Sequence, residues 1–162
     1  MVKFVRWVAV ASVAASVSAI ARPTAARDSV DPICGALKSF AGSVKVGEFK
    51  TIEFRTVWGG GFKATKNAVL FETRCEDFDY GPGAAVCQSL MKHGNIEFSG
   101  NNALRAITCL SPPFQVEQAY RLSRIDIEIP YDSDQHGSTV TIKFDNDQEV
   151  GGELLSITAV GY

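Results

Sequence analysis

The chain has 162 residues, with 16 basic and 18 acidic side chains, a formal net charge of −2 and 46% hydrophobic content. That length suits one ordinary domain with its own core. The acid excess, concentrated late in the chain, excludes the basic surface a nucleic-acid binder requires.

Lys3 and Arg6 open the chain as a short positive segment, and residues 7 to 21 follow without a charge, rich in Ala and Val. Small residues then recur at cleavage-site spacing, as Val17-Ser18-Ala19, Ala19-Ile20-Ala21 and Thr24-Ala25-Ala26. This is the layout of a secretory signal peptide over residues 1–26, cleaved between residues 19 and 26. The uncharged stretch is shorter than the ~20 apolar residues that span a bilayer, so no stable membrane anchor is expected. No cysteine sits beside the cleavage region for lipid attachment. Removing residues 1–26 takes away Lys3, Arg6 and Arg22 and no acid, moving the charge from −2 to −5. The expected product is a single periplasmic or secreted domain, 27–162.

Asp31 and Pro32 read as the N-cap and first turn of a helix over 31–42, with Ile33, Leu37, Phe40 and Ala41 on one face. From Glu48 the period changes to two. Ile52, Phe54 and Trp58 alternate with Glu53, Arg55 and Val57, which predicts a half-buried strand with Trp58 facing the core at its end. Val69, Phe71 and Cys75, alternating with Leu70, Glu72 and Arg74, form the returning strand of a long hairpin.

Between these strands lies "TVWGGGFKATKN", residues 56 to 67. A phosphate-binding loop needs amides converging at a helix N-terminus, usually with Gly-Lys-Ser/Thr. Here a strand follows and the motif is absent. The glycines instead fit a hairpin loop, where they permit positive φ. Phe62, Lys63 and Lys66 are expected at its tip as candidate binding residues.

"CEDFDY", Cys75 to Tyr80, is an acidic and aromatic turn with two open readings, part of a binding surface or a cap on the sheet. Gly81-Pro82-Gly83 then starts a helix in which Val86, Cys87, Leu90 and Met91 share a face. Gly94 is expected as its left-handed cap, with His93 at the C-terminus, where positive charge is favoured. Ser99 can cap a further helix through Leu104, Ile107 and Leu110, stopped by Pro112-Pro113.

The remainder reads as a three-strand meander. Ile125, Ile127, Ile129 and Tyr131 point one way, as do Val140, Ile142 and Phe144, then Leu155, Ile157 and Ala159. One-sided strands imply an antiparallel sheet covered on one face. The predicted fold is therefore α+β: a five-stranded antiparallel sheet, hairpin plus meander, with three short helices over one face.

The turn "DSDQHGS" gathers Asp132, Asp134, His136 and Ser138, but a Ser-His-Asp centre needs groups aligned by distant parts of a fold. In the turn "DNDQEVGGE", Asp145, Asp147 and Glu149 alternate. Read as an EF-hand it fails, with Val150 at loop position 6 and Ser156 at position 12. Both acidic turns stand as candidate binding tips. No cofactor motif occurs and no metal is expected.

Cys34, Cys75, Cys87 and Cys109 read as two disulfides in an exported chain, since no pair has metal-ligand spacing. Cys87–Cys109 would lock two consecutive helices and leave Cys34–Cys75. The rival pairing, Cys75–Cys87 with Cys34–Cys109, would close the strand-to-helix turn. The combination implies an exported binding protein, an inhibitor or immunity protein occluding a cationic hydrolase or toxin. The alternatives are a small exported hydrolase using a carboxylate pair or His136, and a structural or assembly factor of the cell envelope.

Overall fold

In the computed structural model, residues 31–114, 122–133 and 136–162 are described. The expected signal peptide and Asp134 lie outside them. The order is α1 (Cys34–Gly42), β1 (Phe49–Trp58), β2 (Phe71–Glu76), α2 (Gly81–His93), α3 (Gly100–Leu110), β3 (Ile125–Asp132), β4 (Gly137–Asn146) and β5 (Glu153–Gly161). The predicted α+β architecture is present as a five-stranded antiparallel sheet, ordered β2-β1-β5-β4-β3.

Hairpin and meander join because β5 pairs with β1, from Phe49↔Val160 to Thr56↔Glu153. This register aligns Ile52, Ile157, Ile142 and Ile127 in one row and Cys75, Phe54, Leu155, Phe144 and Ile125 in the next. All point to one face, as alternation requires. There they meet Leu37 and Phe40 of α1, Val86 and Leu90 of α2, and Ala103, Ala106 and Ile107 of α3 in a continuous core. Each buried Leu, Ile or Phe in it contributes about 1.5–3 kcal/mol by leaving water.

The helices differ from expectation in detail. α1 begins at Cys34, not Asp31. Asp31 still caps by accepting the Ile33 N–H at 3.0 Å, and it also takes two hydrogen bonds from Arg105, at 2.6 and 2.9 Å. Arg105 also donates to the His93 carbonyl at 2.8 Å, so one arginine fixes the start of α1 against the end of α2. Gly94 is extended (φ −67°, ψ 149°) rather than left-handed. Glycine is required there because a Cβ would come within 2.4 Å of the Leu90 carbonyl and 3.1 Å of the Phe54 ring. Met91 is exposed, one step off the buried face of α2.

The disulfides are Cys34–Cys109 and Cys75–Cys87. Of the two pairings the sequence left open, this is the one that closes the strand-to-helix turn: Cys87 faces β2, where Cys75 sits opposite Phe54 on the covered side. Cys109 near the end of α3 instead meets the first residue of α1.

Candidate functional site

The β1–β2 connection does not project as a free tip. Its base is closed by the Gly59 N–H donating to the Leu70 carbonyl at 2.8 Å. Of the three consecutive glycines only Gly59 has positive φ, at 79°. Gly61 is needed for a different reason, since a Cβ would lie 2.7 Å from the Thr65 side chain.

Beyond Gly61 the loop doubles back. Phe62 is only 2% exposed, and its backbone N–H donates to a Glu72 carboxylate oxygen that the Thr65 hydroxyl also reaches. Those bonds, Thr65 first, hold the Glu72 carboxyl below the usual range. The Arg74 guanidinium lies 5.1 Å from the Phe62 ring centre. Glu72 and Arg74 alternate with inward-facing Thr73 and Cys75, so Phe62 is folded onto the sheet face opposite the helices. The exposed tip expected at Phe62 is thus corrected: the ring finds burial against its own hairpin. Lys63 is likewise engaged, its N–H on the Val150 carbonyl at 2.9 Å and its ammonium on the Gln148 carbonyl. Lys66 remains exposed.

This loop therefore docks against the β4–β5 turn, and Asp147 organises the junction. Its Oδ1 accepts the N–H groups of Glu149 and Val150, both at 2.9 Å, and its Oδ2 accepts Arg55 Nε at 2.9 Å. The Val150 amide first, then Arg55, holds its carboxyl below the ordinary value. Arg55 also pairs with Glu53 at 2.6 Å and Glu76 at 3.3 Å, forming a charge hub on the outer face. Its own pKa is pulled down by burial and raised further by these acids, so it stays protonated. Asp145 pairs with exposed Arg124 at 3.1 Å.

The other acidic turn lies at the opposite end of β4. Asp132 accepts the Tyr162 hydroxyl at 3.1 Å, and the Ser133 N–H and hydroxyl both donate to the His136 carbonyl. Ser138 is buried, with its hydroxyl on the Ala41 carbonyl at 2.9 Å. His136 is exposed. Asp132 and His136 therefore share a turn, while Ser138 serves the core. The two acidic tips, ten residues of strand apart, cannot form one surface.

What the fold does present at the hairpin end is Trp58. It keeps phase with Ile52, Phe54 and Thr56 but is 48% exposed, and the expectation that it faces the core is corrected. The helical layer reaches this end of the sheet through Ser99, whose hydroxyl donates to Glu153, opposite Thr56. Burial pushes the Glu153 carboxyl up. Trp58 lies one row further out, where its ring stacks on Phe71 at 6.3 Å and 12° between planes. Phe71 is itself 48% exposed, and Leu70 and Val69, which precede it in the chain, are exposed too. The sequence held a signal for this patch: both aromatics end their strands, on either side of a loop too long for a tight turn.

The chain matches no known protein family, no curated protein and no solved structure. Among the described residues no helix is long and apolar enough to cross a membrane. Asp31, Cys34 and Cys109 are the one cluster of metal-donor types there, and both sulfurs are bonded to each other.

Proposed function

We propose that the protein is an exported binding protein that occludes a cationic hydrolase or toxin through the end of its first hairpin. The observation that carries this reading is the stacked, half-exposed Trp58–Phe71 pair, with exposed Leu70 and Val69 next to Phe71 in the chain. Exposed aromatic surface of this kind marks interaction sites, and a rigid tryptophan supplies a contact anchor. Rigidity comes from behind, where Phe62 is fastened to Glu72 of β2 and Lys63 to Gln148 and Val150 of the β4–β5 turn that Asp147 organises. A pre-organised hairpin gives up little conformational freedom on binding.

Charge has a smaller part than the acidic C-terminal region implied. Asp126, Asp145 and Asp147 each pair with a cation of this chain, which leaves the overall negative charge to favour a basic partner at a distance. Two disulfides and the signal-peptide layout of residues 1–26 support export.

The test is capture from the exported fraction of the source cells at low salt, with the wild type and Trp58→Ala immobilised in parallel. A basic protein retained by the wild type and released by the variant is expected, with affinity weakened roughly 30-fold, the loss typical of an interface anchor. A partner that binds both forms equally would overturn the assignment of the site.

A further inference from the structure

The other end of β1, about 30 Å along the strand from Trp58, carries an unpaired edge. β1 runs from Phe49 to Trp58, but its pairing with β2 stops at Glu53↔Glu76. Phe49–Ile52 therefore has β5 on one side and, among the described residues, no strand on the other. A groove of about 440 Å³ opens along this edge, lined by Phe49, Lys50, Thr51, Glu53, Asp77, Phe78 and Tyr80.

The turn that leaves β2 is shaped to keep the edge open. Phe78 and Asp79 both adopt left-handed backbone, with φ of 52° and 60°. Two consecutive non-glycine residues in that region are unfavourable, and for a bulky residue such a conformation is a genuine outlier. Asp77 enforces it, accepting the Asp79 N–H on Oδ1 and the Tyr80 N–H on its carbonyl. The strain swings the chain off the line of β2. It also leaves Phe78 60% exposed beside Phe49, which is 71% exposed.

We infer that this edge binds an extended peptide segment of a partner protein, added as a strand in line with β2, with alternating apolar and basic side chains. The main chain is recognised because alternate residues of an antiparallel strand direct N–H and C=O toward the open side. Apolar side chains of the segment rest on Phe49 and Phe78. The basic preference follows from charge. Of the residues that line the groove, Glu53 and Asp77 are acidic and Lys50 alone is basic, and Lys50 is drawn aside, 5.0 Å over the Tyr80 ring. An occupant of this kind also covers an edge that would otherwise template self-association. The inference is independent of the hairpin-end reading, because the two sites share no residue.

The probe is acetyl-Val-Arg-Val-Arg-Val-amide, titrated into the disulfide-bonded protein expressed from the full chain, with hydrogen exchange read at Phe49–Ile52. Saturating peptide should slow, at least tenfold, the amides of that segment that face the open side. A backbone N-methylated form should not, and the Glu-for-Arg peptide should bind at least tenfold more weakly. Phe78→Gly, which relieves the left-handed strain, should weaken binding at least fivefold with an unchanged or higher unfolding midpoint. Unaltered exchange, or equal slowing by the N-methylated peptide, would overturn the proposal. So would edge protection without peptide that grows with protein concentration, since a second copy would then be the occupant.

Discussion

Arg55 and Asp147 hold one end of the molecule together, and the chemistry of that pair makes its contribution measurable. The Asp147 carboxylate satisfies two turn amides as well as the largely buried guanidinium. Asp147→Ala leaves those donors without their acceptor, and we expect a loss of about 1–3 kcal/mol in denaturant unfolding. The carboxyl's folded pKa lies below the ordinary 3.8, so the folded state releases this proton more readily than the unfolded chain. Its stabilisation is complete above the unfolded value and lost as pH falls through the folded one. The stability gap between wild type and Asp147→Ala should therefore be constant near neutrality and narrow below about pH 4. Phe62 provides a second residue-scale test. As a buried ring, Phe62→Ala should lower stability by about 3 kcal/mol, whereas Trp58→Ala should leave the unfolding midpoint nearly unchanged. The reverse ranking would return Phe62 to the surface and Trp58 to the core.

At the scale of elements the two disulfides tie different things. Cys75–Cys87 closes a separation of 12 residues and fastens β2 to α2. Cys34–Cys109 closes a separation of 75 and fastens the first helix to the last. In the loop-entropy account the longer bridge stabilises by about 4–5 kcal/mol and the shorter by about 3. Paired alanine variants should preserve that order in denaturant midpoints, Cys34→Ala/Cys109→Ala falling further than Cys75→Ala/Cys87→Ala. Non-reducing peptide mapping gives the connectivity directly. A Cys87–Cys109 peptide would contradict the face that α2 presents to β2.

Among the described residues the helices cover one face of the sheet and the β1–β2 loop folds onto part of the other, and the two candidate contact surfaces sit at opposite ends of β1. That strand is longer than β2 at its N-terminal end, which opens the groove beside Phe49, and outruns the helical layer at its C-terminal end, which exposes Trp58. A partner bridging both surfaces would lie along the hairpin edge of the sheet. Combining Trp58→Ala with Phe78→Gly should then weaken such a partner by the product of the single effects, measured by titration calorimetry. Independent sites for two partners would instead show each variant affecting only one of them.

The sequence alone determined the element types and their faces, because periods of two and 3.6 are local properties of the chain. Ile52, Phe54, Ile142, Phe144, Leu155 and Ile157 could be assigned to one buried face before any fold was known, and all are buried. It also limited the cysteines to two bridges, while leaving the pairing open. Only the tertiary structure decided that pairing, the β1–β5 contact that unites hairpin and meander, and the fate of the glycine-rich loop. Period could not tell Trp58 from Phe54, because both share a phase and differ only in whether a helix lies above them. Nor could it reveal that Phe62 turns back, since the ring's burial depends on Glu72, Arg74 and a turn more than eighty residues away. Phase is written between neighbours, whereas burial is conferred by whatever the rest of the chain brings over the top.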